Sequence, residues 1–170
     1  MYISTRKEKQ DEGKLFLELY MYNYLTSNPS ISVFELNKIA KRSVRTYQRY
    51  AKELESAGCS HVFFDKTVVP AFYGKQPEKR GYGDLLPPAT DISNTSDQHI
   101  IKLNRLFKAL DYYSTPLWNY YYEEDEDALK VITYHDYKMH ICSSISQKTY
   151  ERDIKMLKAV IKLYVSQLDE

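Results

Sequence analysis

Ser43-Val44-Arg45-Thr46-Tyr47-Gln48-Arg49-Tyr50-Ala51-Lys52-Glu53-Leu54 decides the reading of this chain, because its pattern returns 103 positions later as Ser146-Gln147-Lys148-Thr149-Tyr150-Glu151-Arg152-Asp153-Ile154-Lys155-Met156-Leu157. Ser, Thr, Tyr, Arg, Lys and Leu coincide in the two stretches. Neither stretch is low-complexity, and both place a capping serine before a helical apolar period. The match therefore reads as duplicated supersecondary structure.

At about 100° per residue the first copy puts Val44, Tyr47, Ala51 and Leu54 on one face and Arg45, Arg49 and Lys52 on the other. Gly58 stands where a left-handed residue ends a helix, so the helix is expected from Val44 to about Ala57. Working outward, Ser32-Val33-Phe34-Glu35 is a capping-box pattern that starts a short helix through about Ala40. Leu15, Leu19 and Tyr22 recur at helical spacing, so a first helix is expected from after Asp11 to about Ser27, stopped by Asn28-Pro29. On the other side, His61-Val62-Phe63-Phe64 and Thr67-Val68-Val69 flank Asp65-Lys66 and suggest a small hairpin whose second strand Pro70 limits. Three helices and a hairpin make the winged-helix order.

Residues 75–96 are rich in Pro, Gly, Ser and Thr and lack periodicity. They read as a linker or extended wing between an N-terminal unit, 1–74, and a C-terminal unit, 97–170. A helix is expected from about Asp97 to Tyr113, with Ile100, Leu103, Leu106, Phe107 and Leu110 inward and Pro116 just beyond its end. The stretch 117–130 joins an aromatic run to five acids and reads as an exposed loop or short helical turn. Thr133 can then cap a short helix to about Cys142, and Ser146 a longer one reaching almost to the C-terminus. The expected fold is mainly α: tandem helix-turn-helix or winged-helix units, the first with a hairpin wing and the second with an extended terminal helix.

Tyr150, Ile154, Leu157, Ile161, Tyr164 and Leu168 alternate four- and three-residue steps, the spacing of a coiled-coil seam. Packing inside their own domain competes with homodimer pairing through the part of the helix after Lys158.

The 170 residues carry 24 Lys and Arg against 23 Asp and Glu, a net charge of +1, so a uniformly basic coat is excluded and any electrostatic partner must be read locally. Cys59 and Cys142 form no disulfide framework, which points to a reducing cytoplasm. The apolar stretch Leu15–Leu25 contains Glu18 and Asn23 and is too short for a bilayer, so no membrane partner is expected. No nucleophile elbow, P-loop or HExxH motif is present, and the expectation is a non-enzymatic protein without a cofactor. His135, His140 and Cys142 share no helical face and lack a fourth ligand, so no metal site is expected. Glu123-Glu124-Asp125-Glu126-Asp127 lacks the spacing and glycine of a calcium loop and reads as a solvated acidic loop. The rings of Trp118, Tyr120, Tyr121 and Tyr122 suit core filling better than base stacking, unless they prove exposed.

A basic stripe on the last helix of a three-helix unit suits double-stranded DNA. A helix fits the major groove, Arg engages guanine bidentately, and neighbouring cations neutralise phosphates. Arg45, Thr46, Gln48, Arg49 and Lys52 would form one recognition surface, with Lys41, Arg42 and Ser43 at backbone phosphates. Ser146, Lys148, Thr149, Glu151, Arg152 and Lys155 would belong to the other. Lys41 to Lys52 holds five positive residues and no acid, whereas Glu151 and Asp153 dilute the second stripe, so the first copy should attract DNA more strongly. Charges on an amphipathic helix often serve solubility alone; their repetition in both copies favours binding.

These stretches resemble the recognition helix of DeoR-type regulators, also found at the front of WYL-domain regulators, whose pattern is S-x-R-T-x-x-R-D-[LI]-x-x-L. Ser146 to Leu157 fits with Lys148 in place of the first arginine. Ser43 to Arg49 fits, but Tyr50 occupies the aspartate position. Before the serine, Ile145 suits the usual apolar turn and Arg42 departs from it. The resemblance covers some forty to fifty residues of each half and implies a bacterial-type transcription regulator, with no room for the ligand-sensing domain such regulators often carry. A phage or plasmid replication initiator with two winged-helix units is an alternative within the same partner class. A degenerate winged helix used for protein assembly is the alternative outside it.

Overall fold

Asp97 accepts hydrogen bonds from the backbone N–H groups of His99 and Ile100 at 2.9 and 3.3 Å, which fixes the start of a helix whose inward positions match the apolar period of the sequence. The same local chemistry recurs along the chain in a computed structural model that describes residues 6–28, 30–59, 68–69, 89–92 and 95–168. The protein is mainly helical. It divides into two compact units, Met1–Pro87 and Pro88–Glu170.

In the first unit α1 spans Arg6–Leu25, β1 Ile31–Ser32, α2 Val33–Asn37, α3 Val44–Ser56 and β2 Val68–Val69. Helix α1 begins earlier than expected and is buried on every side from Leu17 to Tyr22. Burial on every side belongs to a core helix rather than to an amphipathic surface helix, with Glu18 as the one carboxyl group of that stretch. Ser32 caps α2 by accepting from the Glu35 N–H at 3.1 Å. Only this half of the expected box is seen, because the Glu35 carboxylate lies 3.7 Å from Lys38. Helix α2 is also shorter than expected, ending at Asn37.

Helix α3 ends as its glycine requires. Gly58 has φ of 108°, the Cys59 N–H reaches the Leu54 carbonyl at 3.1 Å, and the Gly58 N–H reaches that of Glu55 at 3.1 Å. This pair of bonds is the Schellman closure, and Cys59 and Leu54, the two positions of its usual apolar contact, are both buried. Beyond it the expected hairpin lies almost wholly outside the described residues. Of its second strand, β2 pairs in parallel with β1, matching Ile31 to Val68 and Ser32 to Val69.

In the second unit α4 spans Gln98–Tyr112, α5 Ser114–Tyr121, α6 Tyr134–His140 and α7 Gln147–Leu168, with a 3-10 turn at Ala128–Val131 before α6. Ile100, Leu103, Leu106, Phe107 and Leu110 are all buried, as their period requires. Pro116 lies just beyond the end of α4, as expected, and helical structure resumes around it. It sits in the first turn of α5, where a missing N–H costs nothing because those donors have no partner in the helix. Residues 123–127 form an exposed loop, with Glu124 at φ of 58°.

Of the stretch expected to be a linker, residues 89–92 are held against α4. The Ala89 N–H donates to Asp111 at 2.9 Å, Asn104 donates to the Thr90 carbonyl at 2.8 Å, and Asp91 pairs with Lys108. Ile154, Leu157, Ile161 and Tyr164 of the coiled-coil spacing are buried, and α7 packs against α4, α5 and α6 of its own unit. Of that seam only Leu168, at 46% exposure, faces solvent as a large hydrophobic. Among the described residues no helix is long and apolar enough to cross a membrane.

Candidate nucleic-acid interface

The two copies of the pattern fold alike from the cap outward. Ser43 Oγ accepts from the Thr46 N–H at 3.1 Å and meets the Thr46 hydroxyl at 3.0 Å. Ser146 Oγ accepts from the Thr149 N–H at 3.2 Å and donates to the Thr149 hydroxyl at 3.0 Å. In each copy the serine thus satisfies a free N–H of the first turn, and the threonine three residues later fixes its rotamer. Six residues join each short helix to the long one, 38–43 in the first unit and 141–146 in the second.

The repeated tyrosine bonds a carbonyl outside its own helix in both copies, within the connection in the first and just before α6 in the second. Tyr47 is fully buried and donates its hydroxyl to the Ala40 carbonyl; burial raises its pKa. Tyr150 reaches the Ile132 carbonyl at 3.3 Å, and Tyr134, packed on its ring, donates to the Ile145 carbonyl at 2.7 Å. A phenol suits both places because its ring fills the core while its hydroxyl satisfies a carbonyl outside the helical ladder.

Three residues after that tyrosine the copies differ, and the difference is internal. Asp153 is buried, takes a two-pronged bond from Arg105 on α4 at 2.7 and 2.9 Å, and accepts from the Tyr137 hydroxyl of α6 at 2.6 Å. One carboxylate thus ties α7 to α4 and α6 of its unit, and burial together with this anion raises the Tyr137 pKa. Tyr50 holds the equivalent place in α3. It is buried edge-on against Tyr47, with Lys14 of α1 at 5.7 Å from its ring. The aspartate position is therefore a joint between helices in both units, made by an ion pair in one and by aromatic packing with a cation in the other.

Lys14 also bonds Glu53 at 2.8 Å, and Glu53 is hydrogen-bonded to Glu18 on α1. Glu18 is fully buried. Desolvation first, then the bond to Glu53 and its charge, push the Glu18 pKa up to about 10 against the opposing effect of Lys14. In the sequence Glu18 is only a charge interrupting an apolar run, and Asp153 only one acid of the second stripe. Their partners lie 35 and 48 residues away, beyond any local signal.

The positions expected to contact DNA are on the surface. Lys41, Arg42, Ser43, Arg45, Gln48, Arg49 and Lys52 are exposed, and Thr46 is half-buried by its role in the cap. Ser146, Lys148, Glu151, Arg152 and Lys155 are exposed, with Thr149 half-buried in the same way. The connection to α3 is shaped by Arg42, whose N–H donates to Asn37 at 3.2 Å and whose guanidinium meets the Lys41 carbonyl at 2.8 Å. Arg49 lies back toward the Thr46 hydroxyl at 3.3 Å.

The other candidates are arranged differently. His140 stacks on Tyr112 at 4.9 Å and lies 3.9 Å from Asp136. His135 is exposed and Cys142 half-buried. Trp118 and Tyr122 stack at 4.4 Å, and Tyr120 and Tyr122 are exposed, so part of the aromatic run faces solvent instead of filling a core. These rings lead directly into the exposed acids 123–127, whose charge repels a phosphate backbone. Compared with known protein families, with curated proteins and with solved structures, the chain matches none of them.

Proposed function

We propose that this chain is a sequence-specific duplex-DNA-binding protein that regulates transcription through two helix-turn-helix units of the DeoR-like kind. In this reading α2 with α3 and α6 with α7 are the paired helices, α3 and α7 enter the major groove, and the segment after Gly58 supplies the wing of the first unit. The observation that carries the reading is the recurrence, on two helices with the same serine–threonine cap and six-residue connection, of an exposed stripe with cations at three matching positions. A helix about 10–12 Å across fits a major groove about 12 Å wide. The cap leaves the first-turn backbone and the side chains of Lys41 and Arg42 near the rim of that groove, where phosphates lie.

The two surfaces contribute unequally. The five cations between Lys41 and Lys52 have no acid among them and supply most of the long-range attraction. The α7 surface, with Glu151 among its bases, contributes less affinity and more discrimination. Fluorescence anisotropy with a labelled random duplex between about 50 and 200 mM salt tests the reading: affinity should fall linearly on a log–log scale. The double change R45A and R49A should weaken binding and flatten that slope by about 0.9 for each phosphate that no longer meets a cation. The matching pair K148A and R152A reports whether α7 binds together with α3. Absence of salt-sensitive duplex affinity in the unaltered chain overturns the reading.

A further inference from the structure

The two recognition helices carry different residues at one matching exposed position. Gln48 and Glu151 each follow their capping serine by five residues, and both are exposed. At about 100° per residue, each lies roughly 40° from the lysine four residues on and 60° from the cation three residues back, within the cationic arc. Neither takes part in the joints that hold the helices at Tyr50 and Asp153.

An acid in an arc that faces DNA is repelled by one phosphate charge per about 1.7 Å of duplex. A hydrogen-bond donor in the groove offsets that repulsion where the acid meets one. A carboxylate accepts and cannot donate, so the acceptors of guanine and thymine repel it, and at adenine the N7 lone pair beside the amino group repels one of its oxygens. The cytosine N4 amino group presents a donor without that neighbour. A carboxamide both donates and accepts, which matches the N7 and N6 pair of adenine.

We propose that Gln48 and Glu151 are the base-specifying residues of the two units, Gln48 reading adenine and Glu151 reading cytosine, so that one chain recognises two unlike half-sites. The inference rests on the duplex-binding reading above and adds to it which bases are read. Because both side chains are exposed, variants at these positions keep the fold, and thermal melts of each should overlay the unaltered protein.

Selection of bound sequences from a randomised duplex, using the full chain, E151Q and Q48E, tests it. The unaltered chain should select a C·G pair at one position of one half-site and an A·T pair at the matching position of the other. E151Q should convert the first to A·T and leave the other half unchanged, and Q48E should convert only the second to C·G. Each variant should bind the original target about 5- to 150-fold more weakly than its own. If the unaltered chain binds duplex with a salt slope but selects no sequence, or if the variants select the same half-sites, the inference is overturned and duplex binding stands. If the unaltered chain binds no duplex, the underlying reading falls and the inference with it.

Discussion

Glu18 carries a cost that depends on pH in a direction opposite to most carboxylates. Its folded pKa lies near 10 and its ordinary value is 4.5, so the folded chain holds a proton that the unfolded chain releases throughout that window. The favourable contribution is complete below about pH 4.5 and is lost progressively as pH rises toward 10. At pH 7 the cost is about 3 kcal/mol. Glu18→Gln keeps a donor for Glu53 without needing the proton. It should raise the stability of the first unit at pH 7 by up to that amount and change little at pH 4, read from urea melts at the two pH values. Equal effects at both would show that Glu18 is charged in the fold. Asp153 is the converse case. Asp153→Ala leaves the Arg105 guanidinium without its carboxylate partner and should destabilise the second unit by about 3–5 kcal/mol in the same melts. That acid was visible in the sequence as part of a recognition pattern, but burial and partner are properties of three helices and cannot be read from one.

At the scale of elements, the signals that proved legible were those contained within a few residues. Ser32, Ser43, Asp97, Thr133 and Ser146 each satisfy first-turn N–H groups, and the starts of the helices that follow them match the sequence reading within a residue, although α2 ends earlier than expected. Replacing Ser43 or Ser146 by Ala should cost about 1 kcal/mol, and the loss should appear in the unit that carries the change. Gly58 was also legible, because only glycine adopts a φ of 108° without strain. Gly58→Ala should destabilise α3 by about 1–2 kcal/mol. Gly13 is the contrasting case: it lies inside α1 with nothing within 4 Å of an added Cβ, so Gly13→Ala should stabilise by about 0.5–1 kcal/mol. A thermal melt in which both glycine variants move the same way would contradict these assignments. The helix that local signals did not place is α5: residues 117–130 read as an exposed loop or short helical turn, yet the chain breaks at Tyr113 and α5 runs from Ser114 to Tyr121 with Pro116 in its first turn.

For the whole molecule, repetition was the most informative feature of the sequence, and it was legible because cap, tyrosine and cations return together. The chain divides into two compact units between Pro87 and Pro88, a point inside the stretch whose composition shifts. The attachment of residues 89–92 to α4 was not legible, since Asp111 and Asn104 give no local sign of binding that stretch until the chain has folded. The two joints behind the cationic stripes carry a practical consequence. Tyr50 belongs to a pocket built with Tyr47 and Lys14, and Asp153 to one built with Arg105 and Tyr137, so neither helix can be transplanted whole into the other unit without stranding a buried charge or a ring. The four outward positions of each helix lie on the face away from those partners. Grafting residues 45, 48, 49 and 52 onto 148, 151, 152 and 155 leaves the joint intact, which makes the exterior of this repeat exchangeable while its interior is private to each unit.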